Sequence, residues 1–101
     1  MRRYEMMVII TDLLDEEAAQ AVLEQAKENL ATQGGTLLDE AWWGRRKFGY
    51  EIDKRDYGYY GVLDFEASED AVDEVERRLR IHDDVVRFKT VRPEVRVRNS
   101  A

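Results

Sequence analysis

The hydrophobic pattern of this chain alternates between the period of a strand and the period of a helix, which limits its possible folds strongly. Residues 4–10 read YEMMVII, an apolar run short enough for a buried strand. From Asp15 to about Gln33 the apolar residues recur every three or four positions, which predicts a helix that Gly34-Gly35 ends. Ser68 begins a second helical stripe formed by Ala71, Val72, Val75 and Leu79.

Strand patterns occupy the remaining segments. They read TLLDEAWWG at 36–44, YGYYGVLDFEA at 57–67 and VVRFKTVR at 85–92. The order β-α-β-β-α-β predicts an α+β, ferredoxin-like fold, which is a four-stranded antiparallel sheet with both helices on one face. Right-handed crossovers would place the first and third strands in the centre. We expect one domain over residues 1–93 and an extended tail over 94–101, because Pro93, the only proline, disfavours further pairing.

The composition excludes several classes of protein. The chain contains no cysteine, so disulfides, thiolate metal sites and cysteine nucleophiles are excluded. No apolar run approaches the roughly 20 residues that span a membrane, and no signal peptide is recognisable, so a cytoplasmic location is expected. His82 is the only histidine and has no neighbouring nucleophile in the sequence. We therefore expect no catalytic or metal site, no cofactor and no small-molecule substrate.

The charges are segregated along the chain, although the net charge is −6. Acids dominate residues 12–40 and 64–84, which include both helices. Cations cluster at residues 2–3, 45–55 and 87–98. Since these basic segments lie on strands and between them, the sequence predicts an acidic helical face and a basic edge or end of the sheet.

One segment, WWGRRKFGYEI at 42–52, combines cations with aromatic residues and is called the basic aromatic segment below. Its three consecutive cations, Arg45 to Lys47, are expected in the connection between the second and third strands, where guanidinium groups could hold phosphates. Aromatic residues of this kind are enriched at protein interfaces. Because successive strand residues face opposite ways, one of Trp42 and Trp43 should lie in the core and the other at the surface.

Four motifs together resemble the bacterial small-subunit ribosomal protein S-six (S6) family. They are RRYE at 2–5, WGRRKFGYEI at 43–52, YGYYGV at 57–62 and LRIHDDVVRFKTVR at 79–92. The resemblance implies a ferredoxin-like, non-catalytic protein on the platform of the small ribosomal subunit. It also implies contacts with small-subunit ribosomal RNA and a heterodimer with ribosomal protein S-eighteen (S18).

The residues that we expect to serve this function fall into two groups. The expected RNA-binding residues are Arg2, Arg3, Arg45, Arg46, Lys47, Arg87, Lys89 and Arg92. The expected partner-binding residues are Trp42, Trp43, Phe48, Tyr50, Arg96 and Arg98.

Two other functions were weighed against a ribosomal one. A self-associating regulatory domain of the same topology would keep the fold without binding RNA, but the basic C-terminal segment disfavours it. An acylphosphatase-like hydrolase would need an anion-binding loop after the first strand. The segment TDLLDEE at 11–17 is acidic and would repel phosphate. An enzyme on this fold is therefore disfavoured.

Overall fold

The computed structural model describes residues 1–52 and 55–92, in which the elements follow the predicted order. They are β1 (Arg2–Thr11), α1 (Glu16–Thr32), β2 (Thr36–Ile52), β3 (Arg55–Ala67), α2 (Glu69–Arg80) and β4 (Val85–Val91). The sheet order is β2-β3-β1-β4, and every neighbouring pair is antiparallel. The predicted ferredoxin-like arrangement, with β1 and β3 in the centre, is confirmed.

The core lies between one face of the sheet and the two helices. Alternate residues of the central strands point into it, so that Met6 and Val8 of β1 are fully buried beside Leu63 and Phe65 of β3. The helices contribute the predicted stripes, which are buried at Ala19, Val22, Leu23, Ala26, Leu30, Ala71, Val72, Val75 and Leu79. Each large side chain buried in this way contributes roughly 1.5–3 kcal/mol of transfer free energy, which holds the helices on this face.

The ends of α1 are set by local hydrogen bonds. The Asp15 carboxylate accepts a bond from the Ala18 backbone N–H at 2.8 Å, which satisfies one of the unpaired donors of the first turn. At the other end Gly34 has φ +87°, and its N–H donates to the Ala31 carbonyl. The Gly35 N–H donates to the Leu30 carbonyl at 2.9 Å. This Schellman pattern explains why the helix stops where the two glycines predicted.

Helix α2 is capped in the same way at its start and is reinforced by ion pairs near its end. The Ser68 hydroxyl accepts a bond from the Ala71 N–H at 3.1 Å. Arg77 and Arg78 both donate to the Glu74 carboxylate, with shortest distances of 2.8 Å and 2.9 Å. Hydrogen bonds from Arg77 and Arg78 lower the pKa of Glu74 to about 2. These cations are therefore occupied within the helix that carries them.

The hairpin of β2 and β3 is longer than the sequence predicted. We expected Arg45 to Lys47 in a connection between strands, but all three lie within β2 and pair with residues 57–59 of β3. A cationic run is untypical of a strand, yet pairing along β3 satisfies the backbone groups on one side of it. Because the pairing of β3 with β1 ends at Gly58 and Thr11, the two strands continue beyond the rest of the sheet. We call this extension, residues 47–52 with 55–57, the hairpin arm.

Some predicted features lie outside the described residues. They are the tail over 94–101, including Arg96 and Arg98, and the side chains of Phe48 and Tyr50. The boundary between the domain and the tail at Pro93 therefore stays a prediction. In the described ranges, neither helix is long and apolar enough to cross a lipid bilayer.

Candidate functional site

The sheet separates the predicted RNA-binding cations into three places. Arg45 to Lys47 lie on β2, at the end of the sheet where β3 pairs with Thr11. Arg2 and Arg3 lie at the opposite end, because Arg2 pairs with Ala67. The cations of β4 lie on the far edge, three strand spacings or about 14 Å from β2. The cations that we expected to contact RNA therefore lie at separate places on the sheet, although β1 and β4 are neighbours as predicted.

The sheet face opposite the helices carries an aromatic stack at the β2 end. The rings of Trp43 and Tyr60 are 6.0 Å apart and nearly parallel. The Arg46 guanidinium lies 5.2 Å from the Trp43 ring centre, and its Nε–H donates to the Trp43 carbonyl. Trp43 is 46% exposed in spite of these contacts. The side chains thus form a flat, solvent-facing layer, which we call the open-face platform (Trp43, Tyr60 and Arg46).

Two cations of β4 belong to the same face as the platform. Tyr60 pairs with Ile9, and Ile9 pairs with Arg87, so the three side chains lie in one row across the sheet. Lys89 lies in the adjacent row, opposite Met7. The open face therefore combines aromatic rings, an apolar centre and cations on both edges with three acids near Trp43, which are Glu5, Asp39 and Asp64. This combination suits both phosphates and aromatic or apolar partner groups.

The two tryptophans lie on opposite faces, as predicted. Trp42 packs against the hydrophobic core and stacks on Tyr59 with ring centres 5.9 Å apart. Its indole N–H donates to the Glu16 carboxylate at 2.8 Å. A β-bulge between Trp42 and Gly44 leaves Trp43 as the additional residue, and Gly44 has φ +78°, which a glycine adopts readily. Of the pair, Trp43 is the one presented to solvent on the open face.

Arg45 lies on the helix-covered side of the sheet, in register with Tyr59. Its guanidinium donates to Asp12 at 3.2 Å and lies 4.0 Å above the Tyr57 ring centre. Since about half of the side chain is still exposed, these contacts orient the guanidinium without burying it. Lys47, the next cation on this side, is exposed. The base of the hairpin arm therefore presents cations on both faces of the sheet.

The cations at the other end of the sheet are held in ion pairs. Arg3 donates two hydrogen bonds to Asp64, at 3.1 Å and 2.6 Å. The hydrogen bond from Arg3 lowers the pKa of Asp64, and the same bond raises the pKa of Arg3. Arg2 lies 3.6 Å from Glu69 at the start of α2. Both arginines therefore lie within ion-pair distance of an acid of the chain.

A groove of about 330 Å³ lies between α2 and the end of β4, beside Arg92. Arg2 and Arg92 line it together with Thr90, Glu69 and two further acids of α2. The Thr90 hydroxyl is buried and has no hydrogen-bond partner in the described structure. Arg92 thus lies near acidic side chains of α2.

Tyr57 and Tyr60 were not predicted as functional residues, although both contact the basic aromatic segment. Their signal was present in YGYYG, where aromatic residues alternate with glycine along a strand. The sequence could not show that Tyr60 would meet Trp43, because a bulge sets the register between these strands.

His82 has a local structural role. Its Nδ1 accepts a bond from the Asp84 N–H at 3.1 Å, and its Nε2 lies 3.2 Å from the Gln25 side-chain oxygen. The ring therefore links the turn after α2 to α1. Over residues 1–52 and 55–92 no group of His, Asp and Glu is arranged to hold a metal ion.

Comparison with known proteins gives a consistent result. Residues 3–92 match the family model for Ribosomal protein S6. The small ribosomal subunit protein bS6 of Salinispora arenicola (strain CNS-205) is 44% identical over 96 residues, which cover 95% of this chain and 100% of that protein. The bS6 protein of Clostridium novyi (strain NT) is 43% identical over 94 residues, covering 93% and 99% of the two chains. The crystal structure of 30S ribosomal protein S6 from Thermotoga maritima superimposes with a TM-score of 0.87 at 30% identity, covering 98% of this chain and 96% of that one.

Proposed function

This chain belongs to the ribosomal protein S6 family, and we propose that it binds small-subunit ribosomal RNA together with S18. Members of this family are structural components of the small ribosomal subunit and not enzymes. Small-subunit ribosomal proteins of bacteria are components of the cytoplasmic ribosome, in agreement with the predicted location. The family membership establishes the ribosomal class. The RNA contact, the S18 contact and the place on the platform are our proposal.

The observation that carries the proposal is the position of the cations relative to the acids. Arg45, Arg46 and Lys47 lie on an edge strand at the base of an arm that continues beyond the sheet. The helices carry many of the acids, on the same side of the sheet as Arg45 and Lys47, whereas Arg46 lies on the open face. At physiological salt, charges separated by more than about 8 Å are largely screened from each other. An RNA at the arm would therefore interact with the local cations more strongly than with the net charge of −6.

The role of each cation follows from its geometry. The Arg46 guanidinium lies over Trp43, which keeps it exposed and pre-oriented for a phosphate. Arg45 is oriented by Tyr57 and Asp12 on the other side of β2. Phosphate contacts from both sides would clamp one backbone of the RNA on the strand edge. Lys47 would add a less directional charge contact.

The open-face platform supports a second contact, with protein. Tryptophan, tyrosine and arginine are the residue types that contribute most to binding energy at interfaces. Here Trp43, Tyr60 and Arg46 are stacked in advance, so little side-chain entropy would be lost on binding. Arg87 and Lys89 on the far edge would provide a charged rim. We therefore propose that S18 docks on the open face of the sheet.

The test is a binding titration of the purified chain with S18 and a platform fragment of the small-subunit RNA, repeated across a series of salt concentrations. The Arg45→Gln/Arg46→Gln variant removes two proposed phosphate contacts. It should reduce the slope of log K against log salt by about 1.5.

The matched control is Arg77→Gln/Arg78→Gln, which removes the same charge from the helical face. It should leave the slope unchanged. Equal slopes for both variants would show that only net charge matters and that Arg45 and Arg46 do not contact the RNA. A folded chain that binds neither S18 nor RNA would contradict the proposed function itself.

A further inference from the structure

The outer edge of β2 is an unpartnered edge of the sheet. In the described part of the chain, β2 pairs with β3 on one side only, so a row of its backbone N–H and C=O groups faces outward. Leu37 and Leu38, at the start of this strand, are 36% and 46% exposed. An exposed edge with apolar side chains is a template on which another extended chain can pair.

An acidic groove runs beside this edge. It lies between α1 and the helix-facing side of β2, has a volume of about 440 Å³, and is lined by Glu17, Gln20, Leu23, Glu24, Glu40 and Trp42, with Ala21 completing it. Lys27 donates to Glu24 at 2.5 Å and to Glu40 at 2.7 Å, and these hydrogen bonds raise its pKa. Lys27 thus pairs with two of the three carboxylates of the groove, so the groove keeps a negative charge.

The edge and the groove together indicate what kind of chain could bind there. Side chains of an added strand alternate between the two faces of the sheet, so every second residue would enter the groove. A lysine or arginine there could lay its aliphatic stem along Trp42 and Leu23 and place its charge beside Glu17. We propose that the outer edge of β2 binds an extended, basic segment of another protein, which adds to the sheet as a fifth strand.

The charges disfavour the other occupants. Phosphates of a nucleic acid would be repelled by the three carboxylates. A second copy of this chain, paired edge to edge, would bring the same acidic rim against itself. Register shifts on both sides of Asp39 to Trp42 also limit the unbroken stretch beside the groove to four residues, which suits a short partner segment better than a long strand of a second copy. The site is separate from the open-face platform and from the cations of the hairpin arm.

The experiment uses a capped nine-residue peptide of alternating lysine and valine as the probe, titrated into the full chain labelled for amide NMR. Binding should shift the backbone amides of residues 37–43. Glu17→Gln/Gln20→Arg, which makes the groove more positive by two charges, should weaken binding about fivefold. The control Ala31→Arg, which adds a charge at an exposed position of α1 that does not line the groove, should leave it unchanged.

Two further peptides test whether the backbone pairs. In each, one of the two alternate sets of amides is N-methylated, and at least one of these peptides should lose binding because its donors to β2 are removed. The proposal would be overturned if both methylated peptides bound as tightly as the unmethylated one, or if the unmethylated peptide did not bind. Amide shifts centred on Arg46 and Arg87, or a dimer of this chain that blocks the edge, would also overturn it. Arg45→Gln/Arg46→Gln should bind the peptide normally, so loss of RNA binding and loss of edge binding are distinguishable.

Discussion

The two faces of the sheet contain similar residue types but use them differently. On the helical side, Trp42 is packed on Tyr59 and bonded to Glu16, and the cations of α2 are paired with Glu74. On the open side, Trp43 stacks on Tyr60 and stays 46% exposed, with Arg46 above it. The difference shows that contacts on the helical side bury or neutralise the tryptophan and arginine side chains, which stabilises the fold. On the open side, Trp43 and Arg46 remain exposed to solvent in spite of their contacts.

The largest expected difference between the faces concerns two positions of β3, one on each face. Phe65→Ala removes a side chain that is 1% exposed and should lower the free energy of unfolding by about 4 kcal/mol. Val62→Ala, on the open face, should lower it by less than about 1 kcal/mol, because its site is partly solvated. Urea-induced unfolding measures both. Similar losses would mean that the open face is itself a second core.

The two tryptophans allow the faces to be compared with the same substitution on each. Trp42→Ala should cost about 3 kcal/mol of stability, since it removes the stack on Tyr59 and contacts with the core. Trp43→Ala should cost less than about 1 kcal/mol but weaken S18 binding about tenfold or more. Unfolding curves and titration with S18 give the two quantities. A Trp43 variant that binds S18 normally would remove the open-face platform from the proposed interface.

Gly61 tests how closely α1 packs on the helical face. A Cβ at this position would lie 2.8 Å from Leu23 Cδ2, so Gly61→Ala should destabilise the fold by about 1–2 kcal/mol through overpacking. In the double variant Gly61→Ala/Leu23→Ala that clash is absent, and the two losses should be less than additive. Thermal or urea unfolding of the four proteins completes the cycle. If the stability losses of the two single variants were fully additive, α1 would be able to shift away from a Cβ at position 61 at no cost in stability.

The smallest expected effect on stability comes from removing the ion pair of Arg3 and Asp64 on the open face. The folded-state pKa of Asp64 is lowered. The ionised carboxylate therefore stabilises the fold above its unfolded-state pKa of about 4, and this stabilisation is lost as the pH falls through its folded-state pKa. Asp64→Asn should therefore cost less than about 1 kcal/mol at pH 7, and this loss of stability should shrink as the pH falls. Stability measured from pH 7 to pH 2 checks this. A difference in stability that stays constant as the pH falls would assign the loss to packing.

Part of the candidate site followed from local sequence. The separation of Trp42 from Trp43 was predictable because strand residues alternate between faces, and the helix caps because Asp15, Ser68 and Gly34 carry local signals. The strand position of Arg45 to Lys47 was not predictable, since a run of cations is stabilised there only by its partner strand. The ion pair of Arg3 with Asp64 joins residues 61 positions apart, and no local pattern predicts such a contact.

The sequence by itself determined the order of the elements, the helix boundaries and the residues of the core. These depend on hydrophobic period and on short-range capping, which act within a few residues. The tertiary structure alone decided which face received each aromatic ring, where the hairpin arm continues beyond the sheet, and how the cations divide into three groups. Those features depend on strand register and on β-bulges, which arise only when distant segments pair.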